Sequence, residues 1–410
     1  MKSTIISIGD ELIAGNTVNS SSKAIAAELE KSSYRVNEIL TIGDNKDQIV
    51  DTIKRALKKK IDLLLITGGL GPTEDDITRE SISKATNLKL SESSKALKLL
   101  QKKFKIKSLS KDILKQTMIP TGALALRNSV GVAPGIYIEL KDSRIIALPG
   151  PPREAIAIFK EEVRPILKKQ FKGEKITDRL FRTCMIGELE LAKILDEAMI
   201  RPSSYLKIGF LPHLAMVDIR ITLLDNDKVV EFGKITKKIK LLLKDFIYSQ
   251  QEISIADTIR DLFISKRLAL GSVESCTGGR FASKIIASSG ASKYFLEGLV
   301  TYSNSSKISR VKVDKNLIKK HGAVSKEVAI AMANGCRKTA KVDVAIASTG
   351  IAEASADLSD KPVGLLFIAI ATKDETVVSR FQFSNSDRDT LQEKSANVML
   401  SLLYKKVAIL

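Results

Sequence analysis

The sequence predicts an α/β protein with two doubly wound α/β/α domains and a smaller α+β segment between them. Runs typical of β-strands alternate with amphipathic helical patterns over the first 170 residues and again from about Glu252 to Leu410. The run DLLLITGG, which begins at Asp62, is apolar almost throughout, as expected for a strand buried on both faces of a parallel sheet. A chain of 410 residues is also too long for one ordinary hydrophobic core.

Both halves show the alternation of strand and helix that builds a parallel sheet. The first half contains strand STIISIG, a helix within SSSKAIAAELEKSS, strand RVNEILTIGD, a helix from Gln48 to Lys60, strands DLLLITGG and RIIALPG, and a helix near Arg153. The second half contains helix IADTIRDLFISKR, strand LALGSVES, helix GGRFASKIIASSG, strands VDVAIASTGIA and VGLLFIAIAT, and helix DRDTLQEKSANVMLSLLYKK.

The pattern changes between the two halves. Strand DRLFRTCMIG, helix ELELAKILDEAM and one or two strands within YLKIGFLPHLAMVDIRITLL predict a small α+β segment that has no glycine-rich loop. We therefore place three domains at residues 1–170, 171–250 and 251–410.

Composition narrows the classes of function. The formal net charge is +19, but the excess is mainly lysine spread along helices without interleaved aromatic residues, which favours a solvated surface over a nucleic-acid site. No apolar run approaches the roughly 20 residues of a membrane span, and the N-terminus does not have the pattern of a signal peptide. Three widely spaced cysteines indicate a reducing compartment. We expect a cytoplasmic protein with neither a membrane nor a nucleic acid as partner.

The chain has only two histidines, His213 and His321, which disfavours a histidine-based catalytic triad and a histidine-rich metal site. We expect His213 to cap a strand and His321 to position a loop. A hydrolase of this composition would use a serine with a lysine or tyrosine base, or a metal ion held by carboxylates.

The first candidate site follows the strand that ends at Thr67. Three glycines let the backbone turn tightly and approach a ligand, and a helix that starts near Ile77 would direct its free amides at an anion. The adjacent acids would repel a phosphate unless a cation lies between them, so a magnesium-type ion is expected. An alternative interpretation is that Asp75 and Asp76 only cap the helix. The candidate residues are Gly68, Gly69 and Gly71 for the substrate, Asp44, Asp75 and Asp76 for the metal, with Asp10 and Glu11 on the same rim.

The second candidate site combines VESCTGG with TYSNSSK, which begins at Thr301. Ser275 lies on a turn between a strand and a helix, and it needs a neighbouring group to take its proton. A desolvated lysine can do so, and a tyrosine can relay the proton or hold an oxyanion. The backbone amides of Thr277, Gly278 and Gly279 would bind that oxyanion or a substrate phosphate.

Two other interpretations of the second site remain open. In the first, Ser275 caps a helix, Tyr302 lies in the core and Lys307 lies on the surface. In the second, Cys276 is the nucleophile, although no histidine is near it in the sequence and small buried cysteines are common.

The N-terminal motifs resemble those of the CinA family. TGGLGPTEDDITRE, GDELIAGNTVN, SVGVAPG and LPGPPRE are similar to its first domain, which has a molybdopterin-binding MoaB/MogA-like fold. The resemblance implies metal-dependent hydrolysis of ADP-ribose to AMP and ribose 5-phosphate, with Asp44 and Asp76 at the ligand and the metal. Gly15 and Asn19 also fit the motifs, with less defined roles.

The resemblance continues to the C-terminus, through VESCTGG, VTYSNSSK, HGAVSKEVA, STGIA and KPVG. These strings are similar to the PncC-type domain, which converts nicotinamide mononucleotide to nicotinate mononucleotide and ammonia. The resemblance implies that Ser275, Tyr302 and Lys307 are the catalytic residues and that Thr349 and Gly350 contact the substrate. The middle segment resembles the small KH-like module of the family, which we interpret as a spacer or dimerisation element of a homodimer.

One loop departs from the family pattern. Relatives follow TGIA with a glycine-rich stretch, whereas this chain has EASAD from Glu353 to Asp357. Two carboxylates there are expected to repel a substrate phosphate and so to weaken binding of nicotinamide mononucleotide. The alternative function is a nucleotide- or pterin-binding protein associated with competence or DNA damage, in which one or both sites are degenerate.

Overall fold

The computed structural model describes residues 1–106, 108–170, 177–353, 361–384 and 387–410. By its internal contacts the chain divides into two compact units, 1–176 and 177–410. None of the helices in the described part of the chain combines the length and apolar character that a membrane span requires.

The first unit is built on a six-stranded sheet with the order β2-β1-β3-β8-β7-β6. Strands β2, β1, β3 and β8 run parallel, and β7 is antiparallel to both of its neighbours. Strands β4 and β5 form a separate antiparallel pair. The strands are β1 Lys2–Ile8, β2 Arg35–Ile42, β3 Leu63–Thr67, β4 Leu90–Glu92, β5 Met118–Pro120, β6 Leu124–Leu126, β7 Gly135–Glu139 and β8 Arg144–Leu148.

Helices cover both faces of this sheet, and each face has its own hydrophobic core. Helices α3, α4 and α5 pack on one face, and α2, α7 and α8 on the other. The helices are α1 Asp10–Ile13, α2 Ser20–Lys31, α3 Lys46–Lys58, α4 Thr78–Thr86, α5 Ser94–Phe104, α6 Lys111–Lys115, α7 Pro152–Ile158 and α8 Arg164–Gln170, with a π-helical turn Phe159–Val163 between the last two.

The second unit contains two sheets. The first is antiparallel, with the order β10-β11-β9-β12, and helices α9 and α10 supply part of its core. The segment for which one or two strands were predicted forms two, because Ala215 turns the chain at a φ of 62° between β10 and β11. The elements are β9 Thr177–Cys184, α9 Glu188–Glu197, β10 Leu206–His213, β11 Met216–Leu223, a 3₁₀ turn Asn226–Lys228, α10 Val229–Leu242 and β12 Ile247–Ser249.

The other sheet of the second unit has the order β14-β13-β15-β16-β17. Helices α11, α12 and α16 pack on one face, and α13, α14 and α15 on the other. Its strands are β13 Leu270–Glu274, β14 Phe295–Val300, β15 Val344–Gly350, β16 Leu365–Ala371 and β17 Thr376–Gln382. Its helices are α11 Ile255–Lys266, α12 Arg280–Ile286, α13 Asn304–Val311, α14 Lys315–His321, α15 Lys326–Thr339 and α16 Arg388–Ala408, with a 3₁₀ turn Ala291–Lys293.

The predicted α/β fold class is confirmed, but both large sheets are mixed: β7 is antiparallel to β6 and β8, and β16 is antiparallel to β15 and β17. Strands β7 and β8, and likewise β16 and β17, are antiparallel because only the short connections 140–143 and 372–375 join them. A parallel pair would need a crossover of a dozen or more residues. The sequence interpretation missed β7 and β17, and the KH-like description of the middle sheet stays a prediction.

Candidate functional sites

A cavity of about 660 Å³ opens where strands β1, β2, β3 and β8 end, in the first unit. This is the edge at which open α/β sheets bind their ligands. The structure brings all six residues predicted for the first site to the lining of this one cavity: Gly68, Gly69, Gly71, Asp44, Asp75 and Asp76.

The glycines of this site are required by the path of the backbone. Gly68 has a φ of 101°, and a Cβ atom there would lie 2.2 Å from the carbonyl oxygen of Ile8. Gly69 has a φ of 64°, and a Cβ atom would lie 2.3 Å from Oγ1 of Thr78. Any larger residue would therefore push apart the strand ends that form the cavity.

Asp75 and Asp76 are both tied to Thr73 in the loop before α4. The backbone N–H and the hydroxyl of Thr73 donate to Oδ2 of Asp76 at 2.9 and 2.5 Å. A hydrogen bond from the Thr73 side chain holds the pKa of the Asp75 carboxyl below its usual range. Lys115 Nζ donates to the carbonyl oxygens of Thr73 and Asp76 at 2.8 and 3.3 Å. The alternative interpretation that these acids cap the helix is wrong, because the N-cap of α4 is Ile77 and no side chain caps it; Asp76 is instead bonded within the loop.

Asp44 lies among other acids. Its Oδ2 accepts from the backbone N–H of Asp10 at 2.9 Å, and its own N–H donates to Oδ1 of Asp10 at 3.0 Å. Partial burial raises the pKa of the Asp44 carboxyl, and the negative charges of Asp10, Glu11 and Asp75 raise it further against the lowering effect of the Asp10 amide. Such crowding of negative charge is what a bound cation would relieve.

The described residues contain no group of three or more His, Cys, Asp or Glu side chains close enough to hold a metal ion. Asp44, Asp75 and Asp76 therefore do not form a ready-made cage. The arrangement fits an ion that takes one or two carboxylates, here Asp44 with Asp75, and completes its shell with water and substrate phosphate, as Mg²⁺ commonly does.

Asn19 has a structural role at the start of α2. Its Oδ1 accepts from the backbone N–H of Ser22 at 3.1 Å, and its Nδ2 donates to Oγ1 of Thr41 at 3.2 Å. Gly15 turns the preceding chain at a φ of 73°. Asn19 also lines a smaller cavity of about 250 Å³.

The second site is centred on Ser275 and Lys307. Ser275 follows β13, and its N–H donates to the carbonyl oxygen of Ser348, which fixes the turn against β15. Lys307 belongs to α13, yet only 1% of its surface is exposed. Its Nζ lies 3.1 Å from Oγ of Ser275. The interpretation of Lys307 as a surface residue is therefore wrong.

The surroundings of Lys307 favour a neutral amine. Burial lowers the pKa of Lys307, with the Cys276 thiol acting in the opposite direction. Its Nζ also contacts the carbonyl oxygens of Thr301 and Tyr302 at 2.8 and 3.2 Å. A neutral amine has two N–H groups for these two carbonyls, and its lone pair is then left to accept the Ser275 hydroxyl proton. No ion pair with a carboxylate joins Lys307 within the described ranges.

Tyr302 lies at the surface of this site and not in the core, since 63% of it is exposed. Its hydroxyl accepts from Nη2 of Arg388 at 2.7 Å, and Nη1 of the same guanidinium donates to Oε2 of Glu353 at 2.9 Å. Tyr302 and Glu353 together raise the pKa of Arg388. The carboxylate that was expected to repel a substrate phosphate is therefore paired with an arginine. Asp357, the other acid of that loop, lies outside the described residues.

The carboxylate of Glu274 occupies the N-terminal end of α12. Glu274 is fully buried, and its carboxylate accepts from the backbone N–H groups of Gly279, Phe281 and Ala282 at 3.0, 3.1 and 2.9 Å. The Gly279 amide is therefore paired within the protein, and the Gly278 amide donates to the carbonyl oxygen of Ser275. Both amides were expected to meet an oxyanion or a phosphate, and their internal partners are a correction to that expectation.

Thr277, Thr349 and Gly350, which were predicted to contact the substrate, make contacts within the protein. The hydroxyl of Thr277 is buried against that of Ser348 at 2.8 Å, and the hydroxyl of Thr349 donates to the carbonyl oxygen of Ala323 at 2.9 Å. A Cβ atom on Gly350 would lie 3.0 Å from the sulfur of Cys276. The side chains of both threonines thus serve the protein framework.

Cys276 is a poor rival nucleophile. Burial raises the pKa of its thiol to about 12, so almost no reactive thiolate is present at neutral pH. The two histidines lie elsewhere: His213 ends β10 and pairs with Asp218 at 3.1 Å, and His321 ends α14 with Glu327 at 3.6 Å.

Sequence reasoning missed three residues that build these sites. Arg79 is 1% exposed and donates to the carbonyl oxygens of Leu70 and Gly71, so it fixes the glycine-rich loop. The sequence feature that could have revealed Arg79 is its position three residues before Ile82, which places a charged residue on the buried face of α4. Glu274 had a signal too, as a single acid at the end of an apolar strand. Arg388 had none, since it lies more than eighty residues from Tyr302 in the sequence.

Two family models match separate parts of the chain. Residues 4–169 match a probable molybdopterin binding domain, and residues 252–407 match the CinA C-terminal domain. The crystal structure of the protein CinA, of unknown function, from Thermoplasma acidophilum is 33% identical, with 40% of this chain and 97% of that chain covered and a TM-score of 0.39.

Two relatives are similar over nearly their whole length. A competence-damage inducible protein of Clostridium botulinum strain Loch Maree is 36% identical, with 99% of this chain and 100% of that protein covered. A protein of the same name from Clostridium beijerinckii is also 36% identical, with 99% of each chain covered. The chain belongs to the CinA family, and it joins a MoaB/MogA-like domain to a CinA C-terminal domain.

Proposed function

We propose that the Ser275 site hydrolyses the amide of nicotinamide mononucleotide and releases nicotinate mononucleotide and ammonia. The observation that carries this proposal is the buried contact of 3.1 Å between Oγ of Ser275 and Nζ of Lys307. A serine needs a base within hydrogen-bond reach to become a nucleophile, and this lysine supplies one without histidine.

The proposed reaction has two steps, the transfer of the acyl group to Ser275 and the hydrolysis of the resulting ester. Oγ of Ser275 attacks the amide carbon while Lys307 takes the hydroxyl proton, and the lysine then gives that proton to the departing nitrogen, which leaves as ammonia. The product of this step is an ester on Ser275. A water molecule attacks the ester while Lys307 takes one of its protons, and return of the proton to Oγ frees the acid and restores the serine.

The hydroxyl of Tyr302 is available to donate to the oxyanion, because Arg388 holds its oxygen from the other side. The guanidinium of Arg388 also supplies a positive charge at the same rim for the phosphate of the substrate. The backbone carbonyls of Thr301 and Tyr302 keep the lysine amine directed at Ser275.

The test is release of ammonia and nicotinate mononucleotide by the purified full-length protein. The wild-type chain is expected to show both products in equal amounts, and Ser275→Ala to show neither. Turnover that persists in Ser275→Ala, or its absence from a folded wild-type protein, would overturn the proposal.

We further propose that the cavity of the first unit hydrolyses ADP-ribose to AMP and ribose 5-phosphate. The support is a cavity of about 660 Å³ with Asp44 and Asp75 in its lining, within the range of roughly 300–1,000 Å³ that small-molecule sites occupy. A divalent ion held there would neutralise pyrophosphate charge and polarise water. The glycine-rich loop supplies the close backbone approach, and Asp44 is the residue whose charge the ion would offset.

The test is formation of AMP with and without Mg²⁺. Hydrolysis that needs the metal supports the proposal. The alternative, a nucleotide- or pterin-binding protein without catalysis, is favoured by the match of residues 4–169 to a molybdopterin binding domain and predicts binding without turnover.

A further inference from the structure

A cavity of about 300 Å³ lies in the second unit, between the antiparallel sheet and the helices that cover one face of the other sheet. The antiparallel sheet contributes Arg182 from β9, Met216 from β11 and Tyr248 from β12, and α11, α12 and α16 form the opposite side. We call this space the junction cavity. None of its lining residues belongs to either candidate site. Its volume is at the lower end of the roughly 300–1,000 Å³ of small-molecule sites, so it is suited to a small ligand.

Two cations line the junction cavity, and both keep free N–H groups. Arg182 donates from Nε to Oδ2 of Asp218 at 3.0 Å and from Nη1 to the carbonyl oxygen of Ile253 at 2.5 Å. A guanidinium has five N–H groups, so three of them have no partner among the described residues. Lys284 pairs with Glu393 through one of the three N–H groups of its ammonium. Both side chains can therefore donate to a ligand without losing their present partners.

Tyr248 adds a hydroxyl donor to the junction cavity. Only 6% of this residue is exposed, and it lines the cavity. Its hydroxyl has no hydrogen-bond partner among the described residues and, unlike those of Tyr34 and Tyr294, is not enclosed by protein atoms, so it opens on the cavity. Burial raises the pKa of Tyr248, against a smaller lowering by Arg182, so the phenol keeps its proton at neutral pH. The guanidinium carbon of Arg182 lies 5.5 Å from the centroid of the Tyr248 ring, which makes the two donors neighbours.

The carboxylate that lines the junction cavity already has its partners. Oδ1 of Asp257 accepts from Nη1 of Arg260 at 2.9 Å and from the hydroxyl of Ser288 at 2.8 Å. Its Oδ2 accepts from the backbone N–H and the hydroxyl of Ser254 at 3.3 and 2.6 Å, in the capping box that begins α11. The free groups of the cavity are therefore mainly donors, and they require a ligand that brings acceptors.

Another part of the lining is apolar and consists of Met216, Ile255 and Leu400, which we call the apolar wall. Ile255 and Leu400 are each 3% exposed and belong to the hydrophobic core of this unit, so the wall is part of a packed surface. Nδ2 of the neighbouring Asn397 donates to the carbonyl oxygen of Leu214 at 2.8 Å, which leaves its Oδ1 as an acceptor. An apolar surface beside a group of donors fits a ligand with an acidic group on a hydrocarbon skeleton.

We propose that the junction cavity binds a small monocarboxylate with an apolar or aromatic skeleton. The carboxylate accepts from Arg182, Tyr248 and Lys284, and the skeleton lies against the apolar wall. Asp218 and Glu393, each paired with one of the two cations, leave too little positive charge for a dianion such as phosphate. The inference is independent of both proposed reactions, because it shares no residue with either candidate site.

The experiment is calorimetric titration of the full-length protein with benzoate and with benzamide, a neutral molecule of nearly the same shape. The wild type is expected to bind benzoate about tenfold or more tightly than benzamide, because charge-assisted hydrogen bonds are stronger than neutral ones. Tyr248→Phe removes only the hydroxyl and should weaken benzoate binding by about fivefold or more. Lys284→Gln should weaken benzoate binding by a similar factor and leave benzamide binding nearly unchanged.

Two matched variants outside the lining are the controls. Tyr205→Phe changes a tyrosine packed in the core of the antiparallel sheet, and Lys193→Gln changes an exposed lysine of α9 that pairs with Glu197. Both should leave the affinities unchanged, and thermal melting checks that every variant is folded. If Tyr248→Phe does not fold, Lys284→Gln decides alone. No binding of benzoate at millimolar concentrations, equal binding of benzoate and benzamide, benzoate binding that neither cavity variant weakens, or tighter binding of inorganic phosphate than of benzoate overturns the inference.

Discussion

The charged groups of the two candidate sites are opposite in sign, and the surroundings of each site disfavour that charge. In the first unit, Asp44 lies among Asp10, Glu11 and Asp75, and partial burial together with these negative charges raises its pKa. In the second unit, a single lysine is buried, and the loss of solvation lowers the pKa of Lys307. One site has an excess of anions that a bound cation would offset. The other has a cation that loses its charge by giving up a proton.

This difference predicts which of the two sites needs a divalent ion from solution for its activity. In the proposed mechanism the Ser275 site has its nucleophile and its base already in contact, so we expect its activity not to depend on a divalent ion. At the Asp44 site, the described residues do not include a third side chain that could complete a metal site made of protein ligands alone. Its activity is expected to follow the concentration of a divalent ion, whereas that of the Ser275 site is not.

The largest effect is expected from Ser275→Ala. Loss of the nucleophile should reduce amide hydrolysis by about a thousandfold or more and leave ADP-ribose hydrolysis unchanged. Cys276→Ala is the matched control, since it alters the neighbouring side chain in the same turn, and its activity should stay within about tenfold. Steady-state ammonia release measures both variants. A dead Cys276→Ala protein beside an active Ser275→Ala protein would transfer the chemistry to the thiol.

Ser275, Lys307 and the glycines after β3 could be chosen as candidate residues from the sequence, because each of them lies in a short local pattern. A serine after a buried strand, a lysine five residues after a tyrosine and glycines after Thr67 are all visible as short patterns. The burial of Lys307 was not predicted, although Val311, four residues further along α13, is apolar and buried on the same face. The contacts of Lys307 with Ser275, Thr301 and Tyr302 form only in the folded chain.

The next effect concerns the charge of Lys307. Since burial lowers its pKa, the amine is neutral over a wider range of pH than an ordinary lysine and becomes a base as pH rises through that lowered value. Amidase kcat/KM should therefore rise with pH on a limb below about 10.4, the ordinary lysine pKa. Lys307→Arg keeps the positive charge but cannot give up a proton, and it should lose about a hundredfold or more.

The control for this prediction is the other site. ADP-ribose hydrolysis by Lys307→Arg should keep the wild-type rate, which shows that the effect is confined to the second unit. An amidase pH profile that is flat, or that Lys307→Arg leaves in place, would contradict the role of Lys307 as base.

A smaller effect is expected from the carboxylates of the first unit. Asp44→Asn keeps the side-chain shape and one carbonyl oxygen but removes a charge that would face the ion, so ADP-ribose hydrolysis should fall by about tenfold or more. A chelator should abolish that activity in the wild type, and amide hydrolysis should persist in both experiments. Asp47→Asn is the matched control, because Asp47 is an exposed acid near Asp44 that pairs with Lys84. Equal losses in the two variants would rule out a special role for Asp44.

The remaining features of the sites could not be predicted because their partners are distant in the sequence. Two acids in the loop that begins at Glu353 indicated repulsion of a phosphate, but in the folded chain an arginine pairs with Glu353. That arginine is Arg388, the first residue of α16, and no periodicity or motif connects it with Glu353.

The smallest effect concerns Glu353 and tests how far its pairing with Arg388 alters the second site. The pair is 2.9 Å long, but both side chains are substantially exposed, so the carboxylate offsets only part of the positive charge. Glu353→Gln should free Arg388 for the substrate phosphate and lower KM for nicotinamide mononucleotide by about two- to fivefold, with kcat nearly unchanged. Nicotinamide riboside has no phosphate, so its KM should not change.

Glu375→Gln is the matched control, since Glu375 is an exposed acid paired with Lys406 in the same unit. Initial rates over a range of each substrate measure the effect. A KM that changes equally for both substrates would mean that Glu353 acts on the nicotinamide end or through Tyr302, and not on the phosphate. A tenfold or larger gain would mean that Arg388 does not neutralise Glu353, and that the loop repels phosphate as strongly as its sequence alone predicts.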